Sequence, residues 1–478
     1  MLFSSPIFLF LFLPFVLAVY FLIHRNWRNG FLLCMSLLFY AWGEKGYVMI
    51  MLFSIVLNFL FGLALERFSS DESGKRKATL VLALLFNIGI LCYFKYANFL
   101  VNSISFGILR IDPIHLPIGI SFFTFIALSY VIDVYRREVT VQKNPFSVGL
   151  YISFFPYLLA GPIIRYHDVA DQILRRTVTS AKMASGIRRF IVGLGKKVLV
   201  ANTLAAVADK IFSLNADQFT PGLAWLGILC YTLQIYFDFS GYSDMAIGLG
   251  RMFGFEFMEN FRYPYISKSI REFWRRWHIS LSKWLRDYLY IPLGGNRKTS
   301  QKTYINLIIV FFLCGLWHGA SWTFIVWGLW HGCFMVMERL RFGNLLASLW
   351  TPLRHTYALM VIMVGWVFFR SQDLGYALSY LQALTGFAKG DGVEIFVAMY
   401  LNREVLIALG LGILFSAPIY PYIGRLRSRI LNRNAGLFHH CLNQTSSLIH
   451  GAALLGIFVL CAMKLASGTY NPFIYFRF

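Results

Sequence analysis

The chain alternates long apolar runs with short polar segments along its whole length. Most of these runs are about 15 to 22 residues long, enough to cross the hydrocarbon core of a bilayer as helices. The pattern therefore predicts an all-α polytopic membrane protein with about 11–13 transmembrane or re-entrant helices. The predicted helices are 6–23, 30–43, 47–66, 78–97, 116–133, 147–164, 187–206, 222–240, 303–317, 320–337, 356–370, 403–420 and 448–465.

The run at 147–164 differs from the others because basic residues flank it at both ends. Its interior, FFPYLLAGPII, contains Pro156, Gly161 and Pro162, which interrupt helical hydrogen bonding. Irregular backbone at membrane depth is tolerated only where protein buries it or water reaches it. We therefore predict a re-entrant or broken segment that forms a cavity wall, with a merely kinked helix as the alternative.

Composition and charge support the membrane interpretation and indicate the cytoplasmic face. Charged residues make up 14% of the chain, whereas soluble proteins carry about one quarter. The net charge of +22 would also fit nucleic-acid binding. Here, however, the basic clusters alternate with apolar spans, and short loops rich in Lys and Arg stay cytoplasmic, so we expect no nucleic-acid partner. The clusters lie at 24–28, 75–77, 136–143, 165–197, 268–298 and 425–433.

The stretch 240–302 departs from the alternation and is predicted to lie at the cytoplasmic interface. Its core reads SIREFWRRWHISLSKWLRDYLYIPLGG, and a helix there would have one apolar and one basic side. Such a helix is typical of a membrane surface, with its aromatic side toward lipid and its basic side near anionic headgroups. His278 falls at the edge of the aromatic side. The apolar side comprises Phe273, Trp277, Leu281, Trp284, Leu285 and Tyr288, and the basic side Arg275, Arg276, Lys283 and Arg286.

The pentapeptide GLWHG occurs twice, at 315–319 and 328–332, and places a histidine in each apolar run. His318 and His331 would lie about 20 Å apart on roughly opposite faces of one helix, so they could not share a metal. Residues 319–321, Gly-Ala-Ser, are expected to break the segment into two antiparallel or re-entrant pieces, with His318 at the tip and His331 back toward the inner face. Each histidine fits either a general base or a structural hydrogen bond. No HExxH, CxxC or GxSxG motif indicates a metal or hydrolytic site.

A second polar group lies in QIYFDFSGYSDMAIG, at 234–248. We predict that Gln234, Asp238, Ser240 and Asp244 end one apolar span and enter the cytoplasmic stretch. The two carboxylates are of the kind that orients a histidine, pairs with Arg275 or Arg276, or caps a helix. Structural pairing is expected for at least one of them.

Several long motifs resemble one protein family. FWRRWHISLSKWLRDYLYIPLGG, followed by LWHG, resembles the membrane-bound O-acyltransferase superfamily. The segments YFDFSGYSDMAIGLGRMFGFEFMENFRYPY, FFPYLLAGPIIRY and NPFIYFRF are similar to its bacterial alginate O-acetyltransferase branch. The resemblance spans essentially the whole chain. It implies one membrane-embedded domain, 1–478, with a catalytic core at 110–372, and a ring of helices around a central pore open to a cytosolic donor and an acceptor on the opposite face.

The resemblance also implies roles for individual residues. The family histidine of W-H-G is His318, expected to be the base, and the Asn-or-His position of F-W-R-x-W is His278, expected to be its positioning or polarising partner. His331 is then expected to be a wall or helix-packing residue on the returning segment, and Trp317 a wall residue of the cavity. The expected donor is acetyl-CoA, with no tightly bound cofactor and no metal. Residues expected to bind or support the donor are Arg275, Arg276, Lys283, Arg286, Lys298, Gln234, Asp238, Ser240 and Asp244.

The expected function is that of a multi-pass O-acetyltransferase subunit in the bacterial inner membrane. In the family, the acetyl group passes to a periplasmic partner protein that modifies an exported polysaccharide, such as alginate, cellulose or peptidoglycan. D-alanyl or other acyl transfer to a cell-wall polymer is one alternative. A non-enzymatic polymer transporter or scaffold is the other, although the chain lacks the paired repeat halves that many transporters show.

Overall fold

The fold is helical throughout the part of the chain that the computed structural model describes. That part comprises residues 1–68, 72–105, 108, 112–297, 299–387, 396–433, 437–468 and 470–472, without the side chains of 216, 427–428, 430–433 and 437–443. No β-strand occurs within these ranges, and the predicted all-α class is confirmed.

The helices are numbered here in chain order. The first eleven are α1 Leu13–Leu22, α2 Arg28–Ala41, α3 Val48–Arg67, α4 Ser73–Leu91, α5 Ala97–Ile104, α6 Ile120–Arg136, α7 Pro145–Ser153, α8 Phe155–Leu158, α9 Tyr166–Leu174, α10 Ser180–Gly195 and α11 Asn202–Ile211. The others are α12 Pro221–Met252, α13 Ile270–Arg276, α14 Ile279–Leu285, α15 Ser300–His318, α16 Trp322–Met337, α17 Arg341–Ser348, α18 Thr351–Arg370, α19 Leu374–Leu384, α20 Arg403–Phe415, α21 Ile419–Arg433 and α22 Leu437–Ala466. Short π-helical segments are Phe8–Phe12, Cys92–Tyr96, Lys196–Ala201 and Arg286–Tyr290, and 3-10 turns are Arg25–Trp27, Ala216–Gln218, Pro264–Ile266 and Val397–Tyr400.

The helices are long and apolar enough to make the chain a multi-pass membrane protein. Within the described ranges seven segments could cross a bilayer, or eight if the bent pair Arg403–Phe415 and Ile419–Leu426 is one span. Two more apolar helices, Phe8–Leu22 and Trp322–Met337, are shorter. The predicted ring around a pore stays a prediction. The seven segments are Val48–Arg67, Ser73–Ile104, Ser180–Ile211, Pro221–Met252, Ser300–His318, Thr351–Arg370 and Gln444–Ala466.

Helices α10 and α12 touch through their backbones at two glycine pairs. A Cβ atom on Gly193 would lie 2.5 Å from the Gly241 carbonyl oxygen, and one on Gly186 would lie 2.6 Å from the Gly248 oxygen. Only glycine permits so close an approach, which is a common way for membrane helices to pack. The seven-residue spacing on both helices therefore aligns them over two turns.

Helix α12 is longer than predicted, and the expectation that its span ends at 240 is wrong. Its two carboxylates are paired inside the protein, so they do not mark an exit from the membrane. Asp238 lies 2.7 Å from Lys197, with both side chains 2% exposed. Asp244 lies 2.8 Å from Arg189 and 2.7 Å from Lys196. Structural pairing is thus confirmed for both carboxylates.

The basic partners of these carboxylates lie on the segment from α10 to α11 and not on α13, so the suggested pairing with Arg275 or Arg276 is not observed among the described residues. A paired charge inside the protein is tolerated where an unpaired one would be costly. Residues 240–252 of the stretch predicted to be cytoplasmic therefore belong to α12, which ends at Met252.

The predicted break within 147–164 is confirmed. Helix α7 ends at Ser153 and α8 begins at Phe155, with Pro156 in its first turn. Pro156, Gly161 and Pro162 are all buried, so protein covers the irregular backbone. Some of the surrounding protein is polar: the Ile163 N–H of this segment donates a hydrogen bond of 3.0 Å to the Ser280 hydroxyl.

The predicted interfacial helix differs from the structure in two ways. It is broken between α13 and α14, where His278 has a left-handed φ of +42°. Its aromatic side faces protein and not lipid: Trp284 stacks on Phe125 with ring centroids 3.8 Å apart, and its indole N–H donates to the Ser129 hydroxyl. The apolar side is therefore part of the protein core. All six of its residues are buried: Phe273, Trp277, Leu281, Trp284, Leu285 and Tyr288.

Residues near the two ends of the chain contact each other. The Asn471 amide donates to the Ser4 carbonyl at 2.9 Å, across 467 positions of sequence. Its side-chain oxygen accepts a hydrogen bond of 3.0 Å from Asn202. The Pro472 carbonyl accepts a further hydrogen bond from Lys197. Residues 471–472 thus pack against the first residues of the chain and against the helices of the core, while the rest of NPFIYFRF lies outside the described residues.

Candidate active site

The two pentapeptides lie on an antiparallel helix pair, as predicted. Helix α15 ends at His318, and α16 begins after Ser321, whose hydroxyl accepts the Phe324 N–H. A Cβ on Gly315 would lie 2.3 Å from the Phe324 oxygen, and one on Gly328 would lie 2.3 Å from the Phe311 oxygen. The first glycine of each pentapeptide therefore marks the place where the helices touch, and the sequence repeat reflects helix packing.

His318 lies at the end of α15 and is 4% exposed. Its ring is surrounded by aromatic side chains, with centroid distances of 4.9 Å to Trp317, 4.8 Å to Trp327 and 5.2 Å to Phe369. Neither ring nitrogen has a hydrogen-bond partner in the part of the protein that the structure covers. A buried imidazole without partners is well suited to receive a proton from a bound substrate.

His278 faces His318, with ring centroids 6.4 Å apart. It is fully buried at 0% exposure, so its expected place at the edge of an interfacial helix is wrong. The left-handed backbone at His278 separates α13 from α14 and directs the side chain into the core. Phe239 of α12 contacts it edge to face at 4.7 Å.

A hydrogen bond to Asn260 fixes the tautomer of His278. The Asn260 side-chain oxygen accepts the backbone N–H of Ser280 at 3.2 Å and lies 3.2 Å from His278 Nδ1. Because that oxygen is an acceptor, Nδ1 carries the hydrogen, and Nε2 keeps a lone pair that has no partner within the described ranges. Burial lowers the pKa of His278 to about 3, which keeps the ring neutral.

His331 lies deeper in α16, away from the facing pair. It is 0% exposed and packs among aromatic rings of Phe273, Trp274 and Trp327. A Cβ on Gly365 would lie 2.9 Å from its Nε2, so α18 approaches it closely. These contacts favour a packing role, and what separates His331 from His318 is its distance from the facing pair, since both nitrogens of each ring lack partners among the described residues.

Two residues at the site were missed in the sequence. The Lys95 ammonium donates to the Trp317 carbonyl and, at 3.3 Å, to the His318 carbonyl. The Tyr96 hydroxyl donates to the Leu316 carbonyl at 2.7 Å. The sequence signal for Lys95 was a lysine inside the predicted helix 78–97. A lysine near the end of a membrane span normally extends its ammonium to the interface, so this signal did not indicate a functional residue. Only the folded chain brings Lys95 to His318.

A cavity of about 220 Å³ lies beside the turn between α15 and α16. This is the carboxyl-terminal end of α15, opposite to the basic residues at its beginning. Phe324 and Phe369 form its wall toward His318, with their rings 4.9 Å apart. Polar groups of Gln234, Ser321 and Arg370 line it. None of the residues predicted as cavity wall lines this cavity, and that prediction remains open for Pro156, Gly161, Pro162, Trp317 and His331.

The basic residues predicted to bind the donor fall into two groups. Arg276 pairs with Glu272 at 2.8 Å, and Arg286 lies 2.7 Å from Asp287. No acidic partner is found for Arg275 or Lys283 among the residues whose side chains are described. Lys298 lies outside the described residues.

Ser240 and Gln234 are both buried on α12, and neither the Ser240 hydroxyl nor the Gln234 amide oxygen has a hydrogen-bond partner in the described part of the chain. Asp238 and Asp244, by contrast, are held in ion pairs. Of the four polar residues predicted on this helix, only Gln234 lines the cavity.

One cluster has the residue types of a metal site. Asp133, Glu138 and His167 each offer a ligand atom, and these atoms lie within 4.8 Å of one another. Asp133 is already satisfied, because it accepts hydrogen bonds from the His167 N–H at 3.0 Å and from the Tyr288 hydroxyl at 2.6 Å. The cluster therefore works as a hydrogen-bonded link between α6, α9 and the segment Arg286–Tyr290.

The sequence motifs indicate an all-helical membrane protein in which two histidines act together. The structure agrees with them, because the two buried histidines face each other. The chain belongs to the membrane-bound O-acyltransferase family, whose model matches residues 136–372. It is therefore an acyltransferase, and the predicted family is confirmed. The predicted core boundaries of 110–372 remain a prediction.

Individual relatives refine this placement. The chain is 42% identical to a probable alginate O-acetylase of Azotobacter vinelandii, with all of both chains covered. It is 36% identical to a peptidoglycan O-acetyltransferase of Helicobacter pylori over 84% of this chain and 82% of that one. A teichoic acid D-alanyltransferase of Bacillus subtilis is 30% identical over 44% of this chain and 55% of its own.

Proposed function

We propose that the chain is the O-acetyltransferase subunit of a bacterial inner membrane that moves an acetyl group from cytoplasmic acetyl-CoA to the opposite face. There the group would be used for O-acetylation of an exported cell-envelope polysaccharide. The observation that carries this proposal is the facing pair of His318 and His278, buried with ring centroids 6.4 Å apart. The full-length similarity to alginate O-acetylases supports acetyl as the group transferred.

His318 is the proposed general base. It would take the proton of an acceptor hydroxyl while the hydroxyl oxygen attacks the thioester carbonyl of the donor. The C–O bond forms, the C–S bond breaks, and the leaving thiolate takes the proton back from the imidazolium. No covalent acyl-enzyme is needed. The aromatic surroundings keep water from competing with the acceptor.

His278 is the proposed partner that orients the acceptor. Its Nε2 lone pair, set by the Asn260 hydrogen bond, can accept a hydrogen bond and cannot donate one while the ring is neutral. It would therefore accept a hydrogen bond from a polar hydrogen of the acceptor other than the one that His318 removes, and so hold the reacting hydroxyl beside His318. Stabilisation of the oxyanion then falls to a donor other than neutral His278, such as a backbone N–H.

The donor is proposed to bind on the basic cytoplasmic face. Arg275 is exposed and Lys283 half-buried, and both lack acidic partners within the described ranges. They are the best placed of the predicted cations to bind phosphate groups of acetyl-CoA, since Arg276 and Arg286 are already paired. The same surface would attract anionic lipid.

The acceptor is proposed to approach from the cavity beside the α15–α16 turn. By the distribution of basic residues this end faces away from the cytoplasm. Gln234 and Ser321 offer hydrogen bonds to a hydroxyl-bearing group there, and Phe324 and Phe369 separate it from His318. A periplasmic partner protein would carry the acetyl group onward. Alginate, peptidoglycan and cellulose all remain candidate polymers.

D-alanyl transfer is the less favoured function. The D-alanyltransferase relative matches only 44% of the chain, whereas the O-acetylase relative matches all of it. A transporter or scaffold without chemistry is not favoured either, since the chain belongs to a family of acyltransferases.

The test uses purified full-length protein in liposomes with acetyl-CoA labelled in the acetyl group, and measures CoA release and transfer of label to oligosaccharides of alginate or to peptidoglycan fragments. We expect His318→Ala to abolish both and His331→Ala to retain most activity. Loss only in His331→Ala, or in neither variant, would overturn the assignment. Labelled D-alanine on a carrier protein serves as the competing donor, and its preferred use would replace acetyl transfer in the proposal.

A further inference from the structure

Lys95 is a buried lysine without an ion-pair partner among the described residues. It lies within the apolar segment Ser73–Ile104 and is 9% exposed. No carboxylate forms an ion pair with it in the part of the protein that the structure describes. An ionisable side chain at such a position is costly in a membrane and is retained where it has a task. Ordinary packing at this site would be served better by an apolar residue.

Two of the three hydrogen bonds that Lys95 donates reach the last carbonyls of α15. Its ammonium donates to the carbonyls of Trp317 and His318 and to the Ser121 hydroxyl at 3.2 Å. The neighbouring Tyr96 hydroxyl donates to the Leu316 carbonyl. The last carbonyls of a helix have no partner within it, and a cation is favoured at this negative end. Lys95 and Tyr96 thus satisfy three consecutive carbonyls that end with the one of His318.

We propose that Lys95 is a positioning residue for the acyl-transfer reaction, which fixes the backbone of His318 so that its imidazole faces His278 and the acceptor hydroxyl. The inference rests on the proposed role of His318 as the base. The residue that follows, Gly319, has an extended backbone, so α15 has no further turn to hold its last residue in place. Anchoring therefore comes from a different helix, through the lysine.

The rate of proton transfer depends strongly on the position and orientation of the base. A displacement of about 1 Å in a catalytic group lowers a rate by as much as about 100-fold without weakening substrate binding. Loss of the Lys95 contacts should therefore reduce kcat and leave the KM for the donor unchanged. A lysine with a purely structural task would change the amount of folded protein and leave kcat per folded molecule unaltered.

The experiment compares Lys95→Met, Lys95→Arg and the control Lys45→Met in full-length protein in liposomes, with acetyl-CoA as the donor. Lys45 is an exposed lysine with no contact to α15 in the described structure, so it controls for loss of one positive charge. We expect Lys95→Met to lower kcat by about 100-fold with unchanged KM. Lys95→Arg keeps a charged donor and should recover part of that loss. Thermal unfolding in detergent reports the folded fraction of each variant.

Three results would overturn the inference: a kcat of Lys95→Met equal to that of Lys45→Met, a loss of activity that only follows the loss of folded protein, or a change confined to KM. If Lys95→Met does not fold, Lys95→Arg and Tyr96→Phe decide, and wild-type kcat in both overturns it. An active His318→Ala variant would instead show that the proposed base is wrong, whatever Lys95 does.

Discussion

His278 and His318 lie in the same pocket of aromatic side chains but differ in how many of their ring nitrogens are occupied. His278 has one nitrogen bonded to Asn260 and one free, whereas His318 has two without partners among the described residues. The first ring is thus fixed in one tautomer, whereas both nitrogens of the second are open to a bound substrate. This difference supports the proposed roles of His318 as the base and of His278 as the orienting residue.

The tautomer of His278 leads to a prediction about substitutions. His278→Ala should lower kcat by about 100-fold, the effect of one positioned polar group in proton transfer. His278→Asn should retain within about tenfold of wild-type activity, because its amide oxygen also accepts a hydrogen bond. Steady-state acetyl transfer by the purified variants measures both values. His331→Phe is the control, since it keeps an aromatic ring at a packing position and should stay near wild-type activity. An equal loss of activity in both His278 variants would contradict the role of His278 as a hydrogen-bond acceptor.

At the scale of secondary-structure elements, glycines decide how closely the helices of the site can pack. Gly315→Ala and Gly328→Ala should each destabilise the protein by about 1–3 kcal/mol, because the added methyl group meets a backbone oxygen of the other helix. Gly410→Ala in α20, which has nothing within 4 Å of the added carbon, should be neutral or stabilising. Thermal unfolding in detergent checks all three. Equal midpoints for Gly315→Ala and Gly410→Ala would contradict the close contact.

The link between α6 and α9 predicts a pH dependence of stability. The hydrogen bond to Asp133 raises the pKa of His167, more than burial and Arg165 lower it. Because the folded pKa lies above the unfolded one, this stabilisation is complete below about pH 6.5 and is lost as the pH rises through the folded value. His167→Gln should therefore lower the unfolding midpoint more at about pH 5.5 than at about pH 9. The same shift at both pH values would contradict the charged link.

Some elements were predictable from the sequence because their signal is local. The break at 319–321 follows from Gly-Ala-Ser between two apolar runs, and the break near Pro156 follows from the missing N–H of proline. The length of α12 was not predictable, because Asp238 and Asp244 find their cations at Lys197, Lys196 and Arg189, some 40 to 55 positions earlier in the chain.

The site was predictable only in part. The motifs and the family resemblance indicated His318 and His278, but the burial of His278 depends on Asn260 and on the helices packed around it. The position of Lys95 inside the predicted helix 78–97 did not reveal its role, because the two carbonyl groups that it binds lie more than 220 positions away. The identity of a residue reveals its possible chemistry, while its partner depends on tertiary packing.

At the scale of the whole molecule, buried ion pairs hold distant helices together. Breaking the pair of Asp238 and Lys197 with Asp238→Asn should destabilise the protein by about 3–5 kcal/mol, because it removes the carboxylate charge that lies 2.7 Å from the buried lysine. The double variant Asp238→Leu/Lys197→Met should recover most of this loss, since well-packed apolar residues replace buried pairs at little cost. Unfolding midpoints of the two variants and the wild type test this. A double variant no more stable than Asp238→Asn would show that the pair has a task beyond charge balance.

The contact between Ser4 and Asn471 bears on how the protein is made. The amino-terminal helices enter the membrane long before residue 471 leaves the ribosome. During that time they lie in the bilayer without the contact between Ser4 and Asn471. Final assembly of this region therefore follows the synthesis of residue 471, whatever the order in which the spans insert. Premature termination of translation would leave a chain that is inserted in the membrane but lacks the contact with residues 471–472. We expect quality-control proteases to recognise the exposed amino-terminal region of such a chain.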